Sequence, residues 1–217
     1  MGFHRLKYKK KKAQEMIGLS AQLLNVMMSR RSVRGFSSED IPDIVLENVM
    51  RTAMSAPSGA NKEPWQFAIV KDKNIKSKIR KAAEVEEKKF YKERATEEWL
   101  KDLNKFATDW RKPFLEKAPA LIVVFRQSYD NSGRAKRKNY YVGESVGIAS
   151  GFLITALHNA GLVSLTHTPS PMGFLEKILD RPTNEKAFLL IPVGYPEPNT
   201  QVPILKKRSY KDTVRVY

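Results

Sequence analysis

The sequence predicts an α+β fold, or a three-layer sandwich, on three observations. Four short apolar runs rich in β-branched residues are spread along the chain, amphipathic helical stretches lie before and between them, and no tandem repeat or low-complexity linker divides the 217 residues. At 41% hydrophobic content such a chain can bury one sizeable core.

The elements follow in order. The opening "MGFHRLKYKKKKAQEMIG" has no apolar run behind its charges, so residues 1–19 read as a basic, solvated tail. A weak attraction to an acidic surface is the other reading of the lysines at 9–12. Leu23, Leu24, Met27 and Met28 sit at helical spacing behind Ser20 as N-cap, predicting a helix over 20–31. "EDIPDIVLENVMRTAMSAPSG" repeats the pattern and ends on a Pro-Ser-Gly stop. "PWQFAIVKD" and "ALIVVFRQ" predict buried strands, and "VSLTHT" and "AFLLIPVGYP" predict two more. Between the first two strands, residues 74–112 form a highly charged, mostly helical excursion. Residues 138–160 predict a long helix in which Gly143, Gly147 and Gly151 share a face. Close packing within the chain or against a second subunit would each compensate the propensity these glycines lose.

The formal net charge of +16 suits a nucleic-acid binder, a visitor to acidic membranes or a protein with anionic ligands. The absence of cysteine excludes disulfides, thiolate metal sites and cysteine nucleophiles. His4, His158 and His167 are too scattered in the sequence to suggest a metal site. The longest apolar stretch, "VGIASGFLITAL", is shorter than a membrane span, so a soluble, cytoplasmic protein is expected.

Two segments carry chemistry. In "SRRSVRGF", Arg30, Arg31 and Arg34 surround Ser32 and can fork around a phosphate. They can equally be a solvated helix end whose cations complement the dipole. "SAPSGANKEPW" is a turn between helix and strand, or a loop whose Gly59 lets backbone approach a flat ligand. Neither is a Walker loop or a dinucleotide fingerprint.

Together "SRRSVRGFSSEDIP", "SAPSGANKEPWQFAIVKD" and the late "LIPVGYP" resemble the FMN-dependent nitroreductase superfamily. "EEKKFYKE", "KAPALIVVF", "NYYVGESVGIASG", "LHNAGLVSLTHTP" and "RPTNEK" extend the resemblance to its halotyrosine-deiodinating branch, over nearly the whole chain from about residue 20. The resemblance implies a nitroreductase-like fold, a central mixed sheet flanked by helices in an intertwined homodimer, with FMN in each of two interface clefts. Residues 20–217 would be the FMN-binding domain, and residues 74–112 its active-site lid. Arg30, Arg31, Ser32 and Arg34 would hold the phosphate and ribityl end with Lys207 or Arg208, while Pro57, Ser58 and Gly59 line the isoalloxazine from the partner subunit. A C-terminal arm, "VPILKKRSYKDTVRVY", would wrap the other subunit.

By the same resemblance Thr166, His167 and Thr168 flank the flavin, with the catalytic Thr168 hydroxyl toward N5, where it favours one-electron chemistry. His167 stands where the family often has threonine and reads as a loop histidine held by packing. Glu87, Tyr91 and Lys112 would grip the substrate zwitterion, Glu87 at the ammonium and Lys112 at the carboxylate, and the Ala60 N–H would meet the phenolate. The membrane anchor of the mammalian members is not expected here. The activity implied is reductive dehalogenation of 3-iodotyrosine and other halotyrosines. A general NAD(P)H-dependent nitroreductase or quinone reductase is the alternative, needing the flavin shell but no amino-acid clamp. A nucleic-acid binder is the third reading, favoured by charge alone.

Overall fold

The computed structural model describes residues 2–131, 133 and 135–217. The chain divides into two compact units, residues 1–30 and residues 31–217. The first is built on α1 (Ala13–Ser29), which starts at Ala13 and not at the expected Ser20. Lys12 is its N-cap, and the Ser20 hydroxyl donates to the Ile17 carbonyl at 2.9 Å inside the helix. Ala13, Gln14, Glu15 and Met16 are strong helix formers, and Glu15 pairs with Lys11 while complementing the dipole, so the helix propagates backwards into the basic tail. Arg30 is the C-cap, with extended backbone at φ −65° and ψ 129°.

In the second unit the helices are α2 (Asp43–Met54), α3 (Lys73–Lys89), α4 (Glu97–Asn104), α5 (Phe114–Lys117), α6 (Val142–Asn159), α7 (Gly173–Ile178) and α8 (Tyr210–Thr213). The strands are β1 (Trp65–Val70), β2 (Ala120–Gln127), β3 (Tyr129–Asp130), β4 (Arg137–Lys138), β5 (Val163–Ser164) and β6 (Glu185–Gly194). The main sheet has the order β1-β2-β6-β5 with antiparallel ladders, and Ser32 adds a parallel bridge to Ser164 at the β5 edge. That bridge makes the sheet mixed, as the resemblance implied.

Burial of both sheet faces makes this a three-layer α+β structure. Along β2, Ala120, Ile122 and Val124 pack with Leu46 and Val49 of α2 and Val146 and Leu153 of α6. The alternate residues Leu121, Val123 and Phe125 pack with Ile79 and Ala83 of α3, Leu115 of α5 and Leu175 of α7. Period-two alternation thus feeds two cores, and a continuous apolar run is what a strand covered on both faces requires. Gly194 ends β6 under a tight constraint, since a Cβ there would lie 2.5 Å from Pro119 Cδ.

Two sequence expectations change at their edges. Of "VSLTHT" only Val163–Ser164 is regular strand, although pairing with β6 goes on in the same register: the Leu165 N–H donates to the Pro192 carbonyl at 3.3 Å, Pro192 has no N–H to return, and His167 then donates its N–H to the Leu190 carbonyl at 2.9 Å while its own carbonyl accepts at 3.0 Å. The helix expected over 138–160 begins at Val142, because Arg137–Lys138 pair with Tyr129–Asp130 in a hairpin and Tyr141 turns left-handed at φ 47°. The charged excursion is α3, a π-helical turn over Phe90–Arg94, α4, and a loop that reaches Lys112. Gly143, Gly147 and Gly151 lie exposed on α6, and a Cβ at any of them would have no atom of the described residues within 4 Å, so none of those residues packs on their shared face.

Candidate active site

Ile79, Ala83 and Glu87 succeed one another at four-residue spacing on the core-facing side of α3, and all three are buried. The periodicity that calls for an apolar side chain at the third position delivers a carboxylate there. The next step, Tyr91, falls in the π-helical turn, closed by the Ala95 N–H donating to the Phe90 carbonyl at 2.9 Å. Wider turns of this kind collect at functional positions.

Lys112 arrives from the loop after α4, anchored by its backbone N–H to Glu84 Oε1 at 2.7 Å. Its Nζ lies 3.1 Å from Glu87 Oε2, and only 5% and 11% of the two side chains remain exposed. Lys112 Nζ also donates to Thr108 Oγ1 at 3.4 Å and to the Asp109 carbonyl, and it stands 5.4 Å from the centre of the Tyr91 ring. The Tyr91 hydroxyl donates to the Thr108 carbonyl at 3.2 Å. Burial pushes Glu87 above the usual carboxylate range and Lys112 below the usual ammonium range, outweighing their mutual attraction in both cases. Burial, and then the Glu87 charge, raises Tyr91.

This cluster opens on a cavity of about 450 Å³ lined also by Arg34, Thr166, His167 and Thr168. Arg34 is half-buried, forms no ion pair among the described residues, and lies 5.7 Å from the Phe106 ring centre. Burial lowers its pKa from the ordinary value. A half-buried guanidinium without a carboxylate has capacity for an outside anion. Thr166 and Thr168 are exposed on either side of buried His167, so both hydroxyls are free to face a ligand. The His167 ring meets Phe114 edge-on at 5.5 Å, and burial, helped by Lys112 and Arg34, lowers its pKa to about 3.

The remaining expected residues stand off the cavity wall. Arg31 Nη2 donates to the Pro203 carbonyl, and Ser32 is tied to Ser164 through the Val33 N–H at 3.1 Å. The loop of Pro57, Ser58, Gly59 and Ala60 packs on the start of α6: the Gly59 N–H donates to Ser145 Oγ at 3.3 Å, and a Cβ on Gly59 would lie 2.8 Å from Tyr141 Cδ2. Ala60 has φ 50°, which turns the backbone sharply. Lys207 and Arg208 are exposed, with Arg208 Nη2 donating to the Asp212 carbonyl at 2.8 Å. Arg30 belongs to the first unit. Sequence reasoning missed the cavity's aromatic wall, where Phe90 meets Trp99 at 4.9 Å and Leu103 follows Trp99 by one helical turn. That four-residue spacing on α4 was the available clue.

The sequence pattern of the nitroreductase family matches residues 27–195. The iodotyrosine deiodinase of Haliscomenobacter hydrossis is 57% identical over 205 residues, covering 94% of this chain and 92% of that protein. The human iodotyrosine deiodinase 1 is 46% identical over 197 residues, covering 90% of this chain and 68% of its own length. A crystal structure of oxidized iodotyrosine deiodinase bound to FMN and 3-iodo-L-tyrosine superposes with a TM-score of 0.77 at 34% identity, over 90% of this chain and 98% of that one.

Proposed function

The chain belongs to the nitroreductase family, and from that premise we propose that it is an FMN-dependent reductive dehalogenase of 3-iodotyrosine and other halotyrosines. The observation that carries the reading is the buried Glu87–Lys112 pair at 3.1 Å, opening on the cavity beside Tyr91. Opposite charges held side by side in an apolar pocket match an amino-acid zwitterion, with Glu87 taking the ammonium and Lys112 the carboxylate. A general nitroreductase or quinone reductase has no use for that pair.

The residues present fit FMN. Arg34 supplies an unneutralised guanidinium for an anionic or polar edge of the cofactor, and Thr166 and Thr168 supply exposed hydroxyls. Arg30, Arg31, Ser32 and Lys207 or Arg208 complete the phosphate and ribityl site in this proposal, and Pro57, Ser58 and Gly59 act across a homodimer interface. The open glycine face of α6, with Ile148 and Phe152 exposed beside it, supports such a dimer. So do the exposed Ile204, Leu205 and Val216 of the C-terminal arm. Residues 20–217 are then the FMN-binding domain and residues 74–112 its lid, with residues 1–19 as an appended tail.

Bound, reduced FMN supplies two electrons in single steps, which with one proton replace the carbon–iodine bond by carbon–hydrogen and release iodide. The chain's own work is placement. Glu87, Tyr91 and Lys112 hold the amino-acid end, the Ala60 N–H stabilises the phenolate, Thr168 donates its hydroxyl toward the flavin, and Phe90, Trp99 and Leu103 exclude water. Titration of the protein with FMN, followed by anaerobic reaction of the reduced holoenzyme with 3-iodotyrosine, tests the proposal. Release of tyrosine and iodide is expected. A holoenzyme that reduces nitroaromatics and leaves iodotyrosine untouched is the general reductase instead.

A further inference from the structure

His167 Nε2 is buried and has no hydrogen-bond partner among the described residues. It lies 3.8 Å from Glu87 Oε1, the carboxylate oxygen that Lys112 does not take. This is beyond hydrogen-bond length, yet a shift of roughly 0.7 Å closes it. The placement is rigid on the histidine side, since His167 backbone is bonded both ways to Leu190 of β6 and its ring rests on Phe114. An orphan ring nitrogen is costly in such a place, so an apolar side chain would pack there at lower cost. The nitrogen therefore points to a bond that the Glu87–Lys112 pairing leaves unmade.

We propose that His167 is a positioning residue of the ammonium subsite, donating from Nε2–H to Glu87 Oε1 when Lys112 turns from Glu87 to the substrate carboxylate. The inference rests on the halotyrosine reading above and assigns a role to a side chain that reading leaves idle. Its logic is electrostatic. In the pair Glu87 Oε2 is satisfied by Lys112; once the substrate ammonium takes that place and Lys112 engages the incoming carboxylate, a second donor at Oε1 keeps the Glu87 carboxylate oriented in a dry pocket. The charged groups around the imidazole are Glu87 from α3, Lys112 from the loop before α5, and Arg34 from the segment after α1, with the Tyr91 phenol nearby in the π-helical turn. With its pKa lowered to about 3, the ring is neutral under ordinary conditions. A neutral donor holds the carboxylate while leaving its negative charge for the substrate ammonium, which an imidazolium would compete for. The tautomer follows, because an Nε2 lone pair would face the carboxylate oxygen and be repelled, whereas an N–H is attracted.

The test is calorimetry on FMN-loaded protein with two ligands, 3-iodotyrosine and 2-iodophenol, the second lacking the amino-acid end. His167→Leu is expected to weaken 3-iodotyrosine about tenfold and 2-iodophenol less than about twofold. His167→Gln, whose amide nitrogen overlays Nε2, is expected to restore affinity to within about threefold, and His167→Asn, whose amide overlays Nδ1, is not. Should His167→Leu fail to fold, the Gln and Asn variants carry the comparison alone. Unchanged 3-iodotyrosine affinity in His167→Leu, equal weakening of both ligands, or equal affinity of the Gln and Asn variants would each overturn the assignment. Wild-type protein that binds no 3-iodotyrosine would instead overturn the halotyrosine reading, and this inference with it.

Discussion

Glu87 Oε2 and Lys112 Nζ meet at 3.1 Å in a pocket that buries nearly all of both side chains. The pair brings together the end of α3 and a loop that follows α4. Desolvation works against both charges, so their attraction is spent on offsetting burial and the pair is a modest source of stability. Under the proposed function its value lies in readiness: a zwitterion would replace each partner with an equivalent charge, without exposing either to an apolar wall.

Removing Lys112 should therefore show two effects. Lys112→Met leaves Glu87 buried without its partner and is expected to cost about 3–5 kcal/mol of stability in the ligand-free protein, whereas Lys112→Met combined with Glu87→Leu should recover most of that loss. Denaturant unfolding of the three proteins measures it. A double variant no more stable than Lys112→Met would refute the account of the pair.

Arg34→Ala should weaken FMN binding while leaving the fold intact, because a half-buried guanidinium without an ion-pair partner among the described residues is an anion receptor first. A charge-assisted contact of about 1.5–3 kcal/mol corresponds to roughly a 10- to 150-fold higher dissociation constant. Equilibrium titration of apoprotein with FMN reads this directly, and an unchanged constant removes Arg34 from the cofactor site.

The acid side of the stability profile should carry the mark of His167. Its pKa is about 3 in the folded chain against an ordinary 6.5. Between those values the unfolded chain binds a proton that the folded chain does not, so stability rises with pH across the window. On acidification wild type should lose up to about 1.4 kcal/mol per pH unit relative to His167→Leu. Parallel unfolding curves for the two proteins between about pH 5 and pH 7 would contradict the burial of a neutral imidazole.

Much of this was legible in the chain, and the losses have physical causes. The two-sided core of β2 was visible because "ALIVVFRQ" is apolar at successive positions, as a strand covered on both faces must be. Glu87 and Tyr91 were visible as a helical pair, but their approach to Lys112 depends on how a polar loop folds back, which no local period encodes. The two-residue strands of the β3–β4 hairpin are too short for alternation to register. The start of α1 was misplaced because Ser20 is a good N-cap, whereas propensity and the Lys11–Glu15 pair carry the helix past it. His167 was read as packed, which it is; its nearness to Glu87 arises from backbone pairing with Leu190 and lies outside any sequence window.

The exposed glycines of α6 bear on assembly. Gly147→Leu adds a bulky side chain where one chain has open space, so it should be tolerated by the isolated fold and should disrupt a homodimer that closes over this face. Sedimentation should show wild-type dimers and dissociated Gly147→Leu protein. A variant that remains as fully dimeric as wild type places the interface elsewhere.

The central claim is that the Glu87 carboxylate reads the substrate ammonium, and a cycle between protein and ligand tests it most directly. Dissociation constants are measured by flavin-fluorescence quenching for wild type and Glu87→Gln, each with 3-iodotyrosine and with its N-acetyl derivative, which keeps the ring and carboxylate but carries no ammonium. The account predicts that Glu87→Gln weakens 3-iodotyrosine at least about tenfold, or about 1.4 kcal/mol, and changes the N-acetyl ligand little. Equal effects on the two ligands, or none on either, would contradict it.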